Sequence, residues 1–257
     1  MNALPAPQFD TFEEISSLRR LPVDWPEPGP IELSVHDLPH ASASLEWWSV
    51  NCHVETVDGR DLSLFAAFGR ERFPMAPGRR DLAIAHSVVW AICDPRQSLY
   101  SAKVSVDGLA PALALAKLDA TTDTTGSRLD RALREVLMRG QVPAPTQLLS
   151  APVRVDQSSL GLDYGGDTLF KRGAREYFLS LYDDRTKVGC DLFFVPQKRP
   201  VRYGANGIAR GARDEVMFHY FIPRCSVSGH VTIDRKTRAV GSGTGWLDHE
   251  FGFSHEA

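Results

Sequence analysis

Near one end of the chain, acidic residues alternate with other residues in the run Trp246-Leu247-Asp248-His249-Glu250. In an extended strand this alternation places Asp248 and Glu250 on one face together with Trp246, with the two carboxyl groups about 7 Å apart. Carboxyl groups this close to each other and to an indole can share a proton or divide the roles of general acid and base. A polar network that only closes a barrel is the alternative, and a hard-cation site would need further carboxylates. Asp248 and Glu250 are therefore candidate catalytic residues.

A second group of chemically useful residues lies in the segment Leu45 to His53. Strand alternation puts Glu46 and Trp48 on one face and Trp47 on the other. Burying a carboxylate beside indoles is costly unless it is hydrogen-bonded, and in a dry site the pKa of Glu46 would rise. Glu46 is therefore a third candidate, as a general acid. The alternative is that Glu46 pairs with an arginine and that the tryptophans are core residues.

A lone histidine, His86, interrupts the apolar run from Ile84 to Trp90. It is a fourth candidate catalytic residue, although a buried, hydrogen-bonded core histidine would give the same pattern. His219 carries a weaker signal. Aromatic and histidine side chains of the strand-like segments are the candidates for contacting an apolar substrate: Trp47, Trp48, Trp90, Trp246, His53 and Tyr220.

The motifs of common cofactor-dependent and nucleophilic enzymes do not occur in the chain. There is no G-x-S-x-G elbow, phosphate-binding loop, HExxH helix or dinucleotide fingerprint. The four cysteines, Cys52, Cys93, Cys190 and Cys225, form no CxxC pair and have no histidine at zinc-ligand spacing. We expect buried, reduced cysteines, with two disulfides as the alternative. No cofactor and no metal are predicted.

Composition excludes several classes of protein. The 257 residues contain 29 Lys and Arg against 32 Asp and Glu, so a concentrated basic surface for nucleic acid is not expected. The sequence contains no run of about 18 apolar residues, so no transmembrane helix is predicted. Residues 1–30 lack the basic-then-apolar order of a secretory signal, which favours a cytoplasmic protein.

The pattern along the chain predicts a mainly β protein. Strand-like segments are separated by turn signals such as Asp58-Gly59 at intervals of about 8 to 12 residues, as in an antiparallel sandwich or barrel. One helix is predicted at about 127–139, capped by Ser127, with Leu129, Leu133, Val136 and Leu137 on one face. Residues 1–30 are rich in proline and predict an extended arm, followed by one domain over 31–257.

Four blocks of the sequence resemble the CrtC-like or AttH-like superfamily of lipocalin-type proteins. This superfamily includes carotenoid 1,2-hydratases (hydroxyneurosporene synthases) and natural-product cyclases such as Diels–Alderases. The blocks are His36-Asp37-Leu38-Pro39 with Glu46-Trp47-Trp48, Ala85-His86-Ser87 to Asp94, Tyr203 to Gly207 with Phe218 to Phe221, and Val240 to Gly252. The four blocks follow one another in the same order as in the superfamily, and together they extend over about residues 31–252.

The resemblance implies a lipocalin-like β-barrel that binds a hydrophobic polyene and acts on it without a cofactor. Asp248 stands where the family hydratases carry the aspartate thought to protonate an alkene, with Glu250 or His86 as a helper. Trp246 stands where the hydratases tend to have tyrosine, which places cyclisation slightly ahead of hydration. The alternative is a non-catalytic lipocalin-like carrier of a lipid or another apolar molecule.

The resemblance also implies a second barrel, because family members normally continue well beyond the last block. We therefore expect this chain to hold mainly the N-terminal barrel. Three explanations would account for the missing second barrel. The parent sequence is longer, the protein is a naturally short member, or another chain or a second copy supplies the missing half.

Overall fold

A computed structural model describes residues 21–74, 82–120, 128–204, 206–211 and 215–253. The chain is mainly β, as the sequence predicts. The helices are α1 (Leu33–His36), α2 (Ala110–Ala120) and α3 (Arg128–Met138), with a 3-10 turn at Pro95–Gln97. The strands are β1 (Leu45–Thr56), β2 (Asp61–Pro74), β3 (Leu82–Asp94), β4 (Leu99–Val106), β5 (Gln147–Leu148), β6 (Val153–Val155), β7 (Gly161–Tyr164), β8 (Asp167–Arg172), β9 (Glu176–Asp183), β10 (Val188–Pro196), β11 (Val201–Arg202), β12 (Ile208–Arg210), β13 (Val216–Ile233) and β14 (Lys236–Phe253).

The strands form a single sheet in the order β5-β4-β3-β2-β1-β14-β13-β10-β9-β8-β7-β6, and β11 and β12 also pair with β13. Every pair is antiparallel except β4 with β5. The two strand-like segments before and after Pro223 are one long strand, β13, whose register with β14 shifts between Ile222 and Cys225. Such irregularities bend a strand without ending it.

The sheet curls so that side chains from its two halves form one core. On β1 the inward-facing residues Trp48, Val50 and Cys52 are buried, in the period of two that a half-buried strand requires. The same cluster contains residues of β2 and β3 from one half and of β7 to β10 from the other. The four cysteines are free thiols, and none of them forms a disulfide.

A buried ion pair joins the two halves of the curled sheet. Asp167 on β8 accepts hydrogen bonds from Lys103 on β4, at 2.8 Å, and from Trp90 on β3, at 3.3 Å. The backbone N–H of Tyr182 donates to its other carboxylate oxygen at 3.2 Å. Because Asp167 is almost completely buried, these donors replace the water that it loses on folding.

The structure confirms the predicted helix and adds a second one. Helix α3 covers Arg128–Met138, while its expected cap, Ser127, lies outside the described residues. Helix α2 was not predicted, since its many apolar residues show no amphipathic period. Within the described part of the chain, neither these helices nor α1 has the length and apolar character needed to cross a bilayer.

The described end of the proline-rich segment is packed against the sheet. Trp25 is buried in a second, smaller core with Phe218 and Phe251, whose rings it meets edge-on at 6.0 and 5.4 Å. Its indole N–H donates to the Ser42 hydroxyl at 3.0 Å. This contact holds the chain that precedes β1 against β13 and β14.

The Asp167 ion pair predicts a large cost for removing its cation. We expect Lys103→Met to lower the free energy of unfolding by about 3 kcal/mol, because a buried carboxylate is left without its counter-charge. The matched control is Arg96→Met, which removes an exposed pair with Asp61 and should cost less than about 1 kcal/mol. Chemical denaturation of both variants measures the difference, and equal losses would contradict the role given to Asp167.

Candidate functional site

The run from Trp246 to Glu250 lies in β14, between β1 and β13 at the centre of the sheet. Leu247 and His249 point into the core and are buried, while Trp246, Asp248 and Glu250 lie on the opposite face. The strand therefore contributes to two separate groups of polar residues. We call the group around His249 the inner cluster and the group around Asp248 the outer cluster.

The inner cluster is centred on Glu46, which is fully buried on β1. One carboxylate oxygen, Oε2, accepts a hydrogen bond from Arg70 on β2 at 2.5 Å. The other, Oε1, lies 2.8 Å from Nδ1 of His40 and 2.9 Å from Nε2 of His249. The backbone N–H of His40 is 3.1 Å from both oxygens. All four residues are buried.

These contacts correct the protonation state expected for Glu46. Burial acts to raise its pKa, but the contacts with His249 and His40 and the charge of Arg70 outweigh burial and lower the pKa to about 2. Glu46 therefore holds no proton to donate at neutral pH, and its role as a general acid is wrong. Glu46 instead pairs with an arginine, which was the alternative considered from the sequence. The β1–β2 register places Arg70 opposite Glu46.

A second buried carboxylate, Asp37, extends the inner cluster. It accepts hydrogen bonds of 2.6 Å from the hydroxyls of Tyr177 and Tyr220, and Lys171 lies 2.7 Å away. The Tyr220 oxygen is also 3.2 Å from Nδ1 of His249, so the contacts continue to Glu46. Burial raises the pKa of both tyrosines well above the usual value. Tyr220, a candidate substrate contact, is thus engaged with Asp37.

The cavity beside the inner cluster is far smaller than the expected polyene pocket. Its volume is about 10 Å³, which is room for about one water molecule. The expectation that Trp47, Trp48, Trp90 and Trp246 line one pocket is also wrong. Trp48 and Trp90 are buried in the core, whereas Trp47 and Trp246 lie on the outer face, because successive side chains of a strand alternate. The cavity is bounded by Asp37, Trp48, Ser49, Leu160, Leu169, Tyr177, Tyr220, Ile222, Leu247, Asp248 and His249.

The outer cluster is built by the register of β14 with its two neighbours. Cross-strand partners on one face of a sheet lie close enough for their side chains to touch. Glu250 and Asp248 each have one cross-strand neighbour on β1 and one on β13, and Trp246 has a neighbour on β1. The rows are Trp47–Glu250–His219, Ser49–Asp248–Phe221 and Asn51–Trp246.

Asp248 contacts His219, a histidine for which the sequence pattern gave only a weak signal. Its Oδ1 lies 3.2 Å from Nε2 of His219, and the Ser49 hydroxyl approaches its Oδ2 at 3.5 Å. The ring of Tyr203 stacks on that of His219, with centroids 5.3 Å apart and planes at 21°. The side chains of Asp248 and His219 are each 21% exposed, so the pair is only partly hydrated. The alternation of side chains along β13 was enough to place His219 on the same face as Phe221. Its contact with Asp248 could not be predicted in this way, because that contact depends on the register of two strands.

The surroundings of Glu250 shift its pKa upwards, in the direction that favours a general acid. Burial raises its pKa, the charge of Asp248 raises it further, and His219 opposes both effects. Its side chain is half-buried between Trp47 and His219 in the register. The two carboxyl groups of β14 are therefore neighbours on one face of the strand, and the charge of Asp248 contributes to the raised pKa of Glu250.

The two remaining histidine candidates lie elsewhere. His86 faces the core side of β3, where its Nδ1 is 2.8 Å from Asp107 and its ring meets Tyr164 edge-on. It is not part of the outer cluster. His53 is exposed, contacts the Ser63 hydroxyl at 2.9 Å and has its ring 6.4 Å from that of Trp246. His53 therefore lies at the margin of the outer cluster.

Potential metal ligands meet in the inner cluster. One ligand atom each from His40, Glu46 and His249 lies within 4.8 Å of the other two. Two imidazoles and one carboxylate suit ions such as zinc and iron. The outer carboxylates, by contrast, face a histidine and two indoles, which is a setting for proton transfer.

Comparisons with known proteins were made on both sequence and structure. The model of the AttH-like family matches residues 25–256. No curated protein matches the sequence. An AttH crystal structure from Nitrosomonas europaea superposes with a TM-score of 0.59 at 18% identity, covering 90% of this chain and 58% of that one. Kievitone hydratase from Nectria haematococca gives 0.56 at 13% identity, covering 89% and 53%. The chain thus spans somewhat more than half the length of these structures, with which it shares the fold.

The inner cluster predicts that neutralising Glu46 is strongly destabilising. We expect Glu46→Gln to cost about 3 to 5 kcal/mol of unfolding free energy, because Arg70 is then buried without a counter-charge. The double variant Glu46→Gln with Arg70→Met should recover part of that loss. Denaturant titration measures all three proteins, and Asp58→Asn, at an exposed pair with Arg238, is the control. A single variant as stable as the control would contradict this assignment.

Proposed function

Because the chain belongs to the AttH-like family, we propose that its outer cluster is the acid–base site of an enzyme that hydrates or cyclises an unsaturated apolar substrate. The observation that carries the proposal is the contact between Asp248 and His219 beside the half-buried Glu250, whose pKa is raised. Perturbed carboxyl groups next to a histidine are typical of proton-transfer sites.

Hydration would use the two carboxyl groups in turn. Glu250, and not Asp248 as the family resemblance implies, gives its proton to one carbon of the alkene, because burial raises the pKa of Glu250. The positive charge develops on the other carbon. A water molecule bonds to that carbon, and Asp248, oriented by His219, accepts the proton that this water loses. Returning that proton to Glu250 restores the site, so the net change is the addition of one water.

Cyclisation would use the same groups differently. A substrate folded into a reactive shape needs little further chemistry, since proximity and orientation supply much of the rate. A protonated Glu250 would then donate a hydrogen bond to a carbonyl of the substrate and stabilise the charge that develops there. No water is added, and the product is an isomer of the substrate.

The surroundings of the outer cluster suit an apolar substrate. Trp47 and Phe221 flank the two carboxyl groups in the register, and Trp246 is 36% exposed on the same face. Phe65, which is 38% exposed, continues this face on β2 opposite Asn51. Aromatic side chains offer large apolar contact area to a planar or polyunsaturated molecule.

One structural neighbour supports the hydration branch of the proposal. Kievitone hydratase shares the fold and by its name adds water to kievitone. This chain spans 53% of that protein. The proposal therefore includes the activity of the whole protein, its substrate, and any second barrel or further copy that completes the site.

A carrier of apolar molecules is the second candidate function, because the chain has a groove of ligand size. The groove lies between α2 and α3 and has a volume of about 450 Å³, which is within the usual range for small-molecule sites. Its lining is mainly apolar, with Val106, Ala114, Leu133 and Leu137 among the wall residues. The partly buried state of Asp248 and Glu250 favours the enzyme over the carrier.

The proposal predicts that the outer cluster is essential for turnover. We expect Asp248→Asn and His219→Gln to reduce turnover by about 100-fold or more, as is typical when a general acid or base is lost. Kievitone and a linear carotenoid serve as probes, with the natural full-length protein in ¹⁸O-labelled water. Mass spectrometry then separates hydration, which adds one labelled water, from cyclisation, which leaves the mass unchanged.

His53→Gln is the matched control for that experiment, because His53 is exposed at the margin of the same face and should be dispensable. Turnover that survives both Asp248→Asn and His219→Gln would refute the acid–base role. Binding of the probes without turnover, lost on changing Leu133 to glutamate but not on changing Asp248, would instead establish the carrier.

The raised pKa of Glu250 predicts a pH dependence for the reaction. The protonated form is the active one, so the rate should fall as pH rises through the pKa of Glu250, above the ordinary glutamate value of 4.5. His219 lowers this pKa, and the residual activity of His219→Gln should therefore lose its rate at a higher pH than the wild type. A pH–rate profile measures the shift, and an unchanged profile would exclude Glu250 as the proton donor.

A further inference from the structure

Tyr203 is an exposed residue that contacts a group of the proposed acid–base site. It is 56% exposed, so burial gives little reason for an aromatic side chain at this position. Its ring nevertheless stacks on that of His219, with the centroids 5.3 Å apart and the planes at 21°. The reaction proposed above uses His219 and gives no role to Tyr203. The contact therefore needs an explanation of its own.

The backbone places Tyr203 directly beside His219. Strand β11 pairs with residues 220–221 of β13, and β12 pairs with residues 216–218. Between β11 and β12 the chain makes a turn that closes on His219. The N–H of Tyr203 donates to the carbonyl oxygen of His219 at 2.9 Å, and the N–H of His219 donates to the carbonyl oxygen of Gly207 at 2.7 Å. Both backbone groups of His219 are therefore bound by the turn that begins at Tyr203.

The turn itself is fixed against β13 by its neighbours. Gly207 has a φ of +83°, which favours glycine, and a Cβ atom there would come within 2.7 Å of the Phe218 ring. The guanidinium of Arg202 lies over the same ring, 5.1 Å from its centroid. It also donates a hydrogen bond to the backbone carbonyl of Asn206 at 3.3 Å. The backbone of Tyr203 is thus anchored on both sides, although its side chain is exposed.

The stacked ring bears on how the His219 imidazole meets Asp248. Nε2 of His219 lies 3.2 Å from Oδ1 of Asp248, and an ionised carboxylate only accepts hydrogen bonds. A neutral His219 in this contact therefore carries its proton on Nε2. The last torsion of a histidine side chain is broad, so it does not fix the plane of the ring. Phe221 is a looser neighbour, at 6.1 Å and 47°, which leaves the flat contact with Tyr203 to define that plane.

We propose that Tyr203 is a positioning residue of the outer cluster, whose ring holds the His219 imidazole in the plane that keeps Nε2 on Asp248. The ring of Tyr203 acts through His219, and its hydroxyl takes no part. The effect on turnover rests on the proposed function, whereas the effect on the His219 ring does not. Misplacing a catalytic group by about 1 Å can cost about 100-fold in rate, which sets the scale of the expected loss.

The test compares Tyr203→Leu, which removes the aromatic ring, with Tyr203→Phe, which keeps it. With the protein and the probe substrates named above, we expect Tyr203→Leu to lower kcat by about 10- to 100-fold while KM stays within about twofold. Tyr203→Phe should retain the kcat of the wild type. Tyr100→Leu is the matched control, because Tyr100 on β4 is 72% exposed, and it should change neither constant.

Nitrogen NMR of the His219 ring tests the orientation without any substrate. At a pH where the ring is neutral, we expect the proton on Nε2 in the wild type and in Tyr203→Phe, and on both nitrogens in exchange in Tyr203→Leu. A His219 spectrum unchanged by Tyr203→Leu would overturn the proposal, and so would equal losses of kcat in the two Tyr203 variants.

The two arms separate this inference from the proposed function. Wild-type kcat in Tyr203→Leu, when Asp248→Asn is inactive, would overturn the positioning role and leave the acid–base site in place. If Asp248→Asn keeps full turnover, or the wild type has none, the acid–base site fails. The NMR comparison then decides by itself whether Tyr203 holds the His219 ring.

Discussion

The buried pair between Glu46 and Arg70 is the interaction on which the rest of this structure depends. Taking a carboxylate and a guanidinium out of water costs several kcal/mol for each charge, and only good geometry compensates for it. The pair forms only if β1 and β2 meet in one register, because a slip by one residue would move Glu46 to the other face of the sheet. A core that is otherwise apolar is thereby specified by a charged contact.

The same pair determines where β14 lies. His249 reaches Glu46 from β14 only when its side chain points into the core, and strand alternation then places Asp248 and Glu250 on the outer face. The inner cluster is saturated with hydrogen bonds and holds Glu46 ionised. The outer cluster is partly hydrated and contains a carboxyl group with a raised pKa. One strand thus supplies a buried hydrogen-bonded cluster on one side and the proposed proton-transfer groups on the other.

This division explains why the chemistry is proposed on a sheet face and not within a barrel. The described interior is filled by large aromatic residues such as Trp90, Tyr164 and Phe194, which are fully buried. Its cavity beside the inner cluster has room for about one water molecule. The outer face carries exposed aromatic residues next to the carboxyl groups, and the chain spans only part of its structural neighbours. In the proposed reaction the substrate would therefore lie against the sheet.

The sequence by itself was enough to predict the mainly β fold, helix α3, the family and the shared face of Asp248 and Glu250. Those features are local, since a period of two or of 3.6 residues and a short motif can be recognised within one segment. The partners were decided only by the tertiary structure: Arg70 for Glu46, which reverses the expected pKa shift, and His219 for Asp248, which lies 29 residues away. Strand register brings these residues together, and register depends on the packing of the whole sheet, which no single segment encodes.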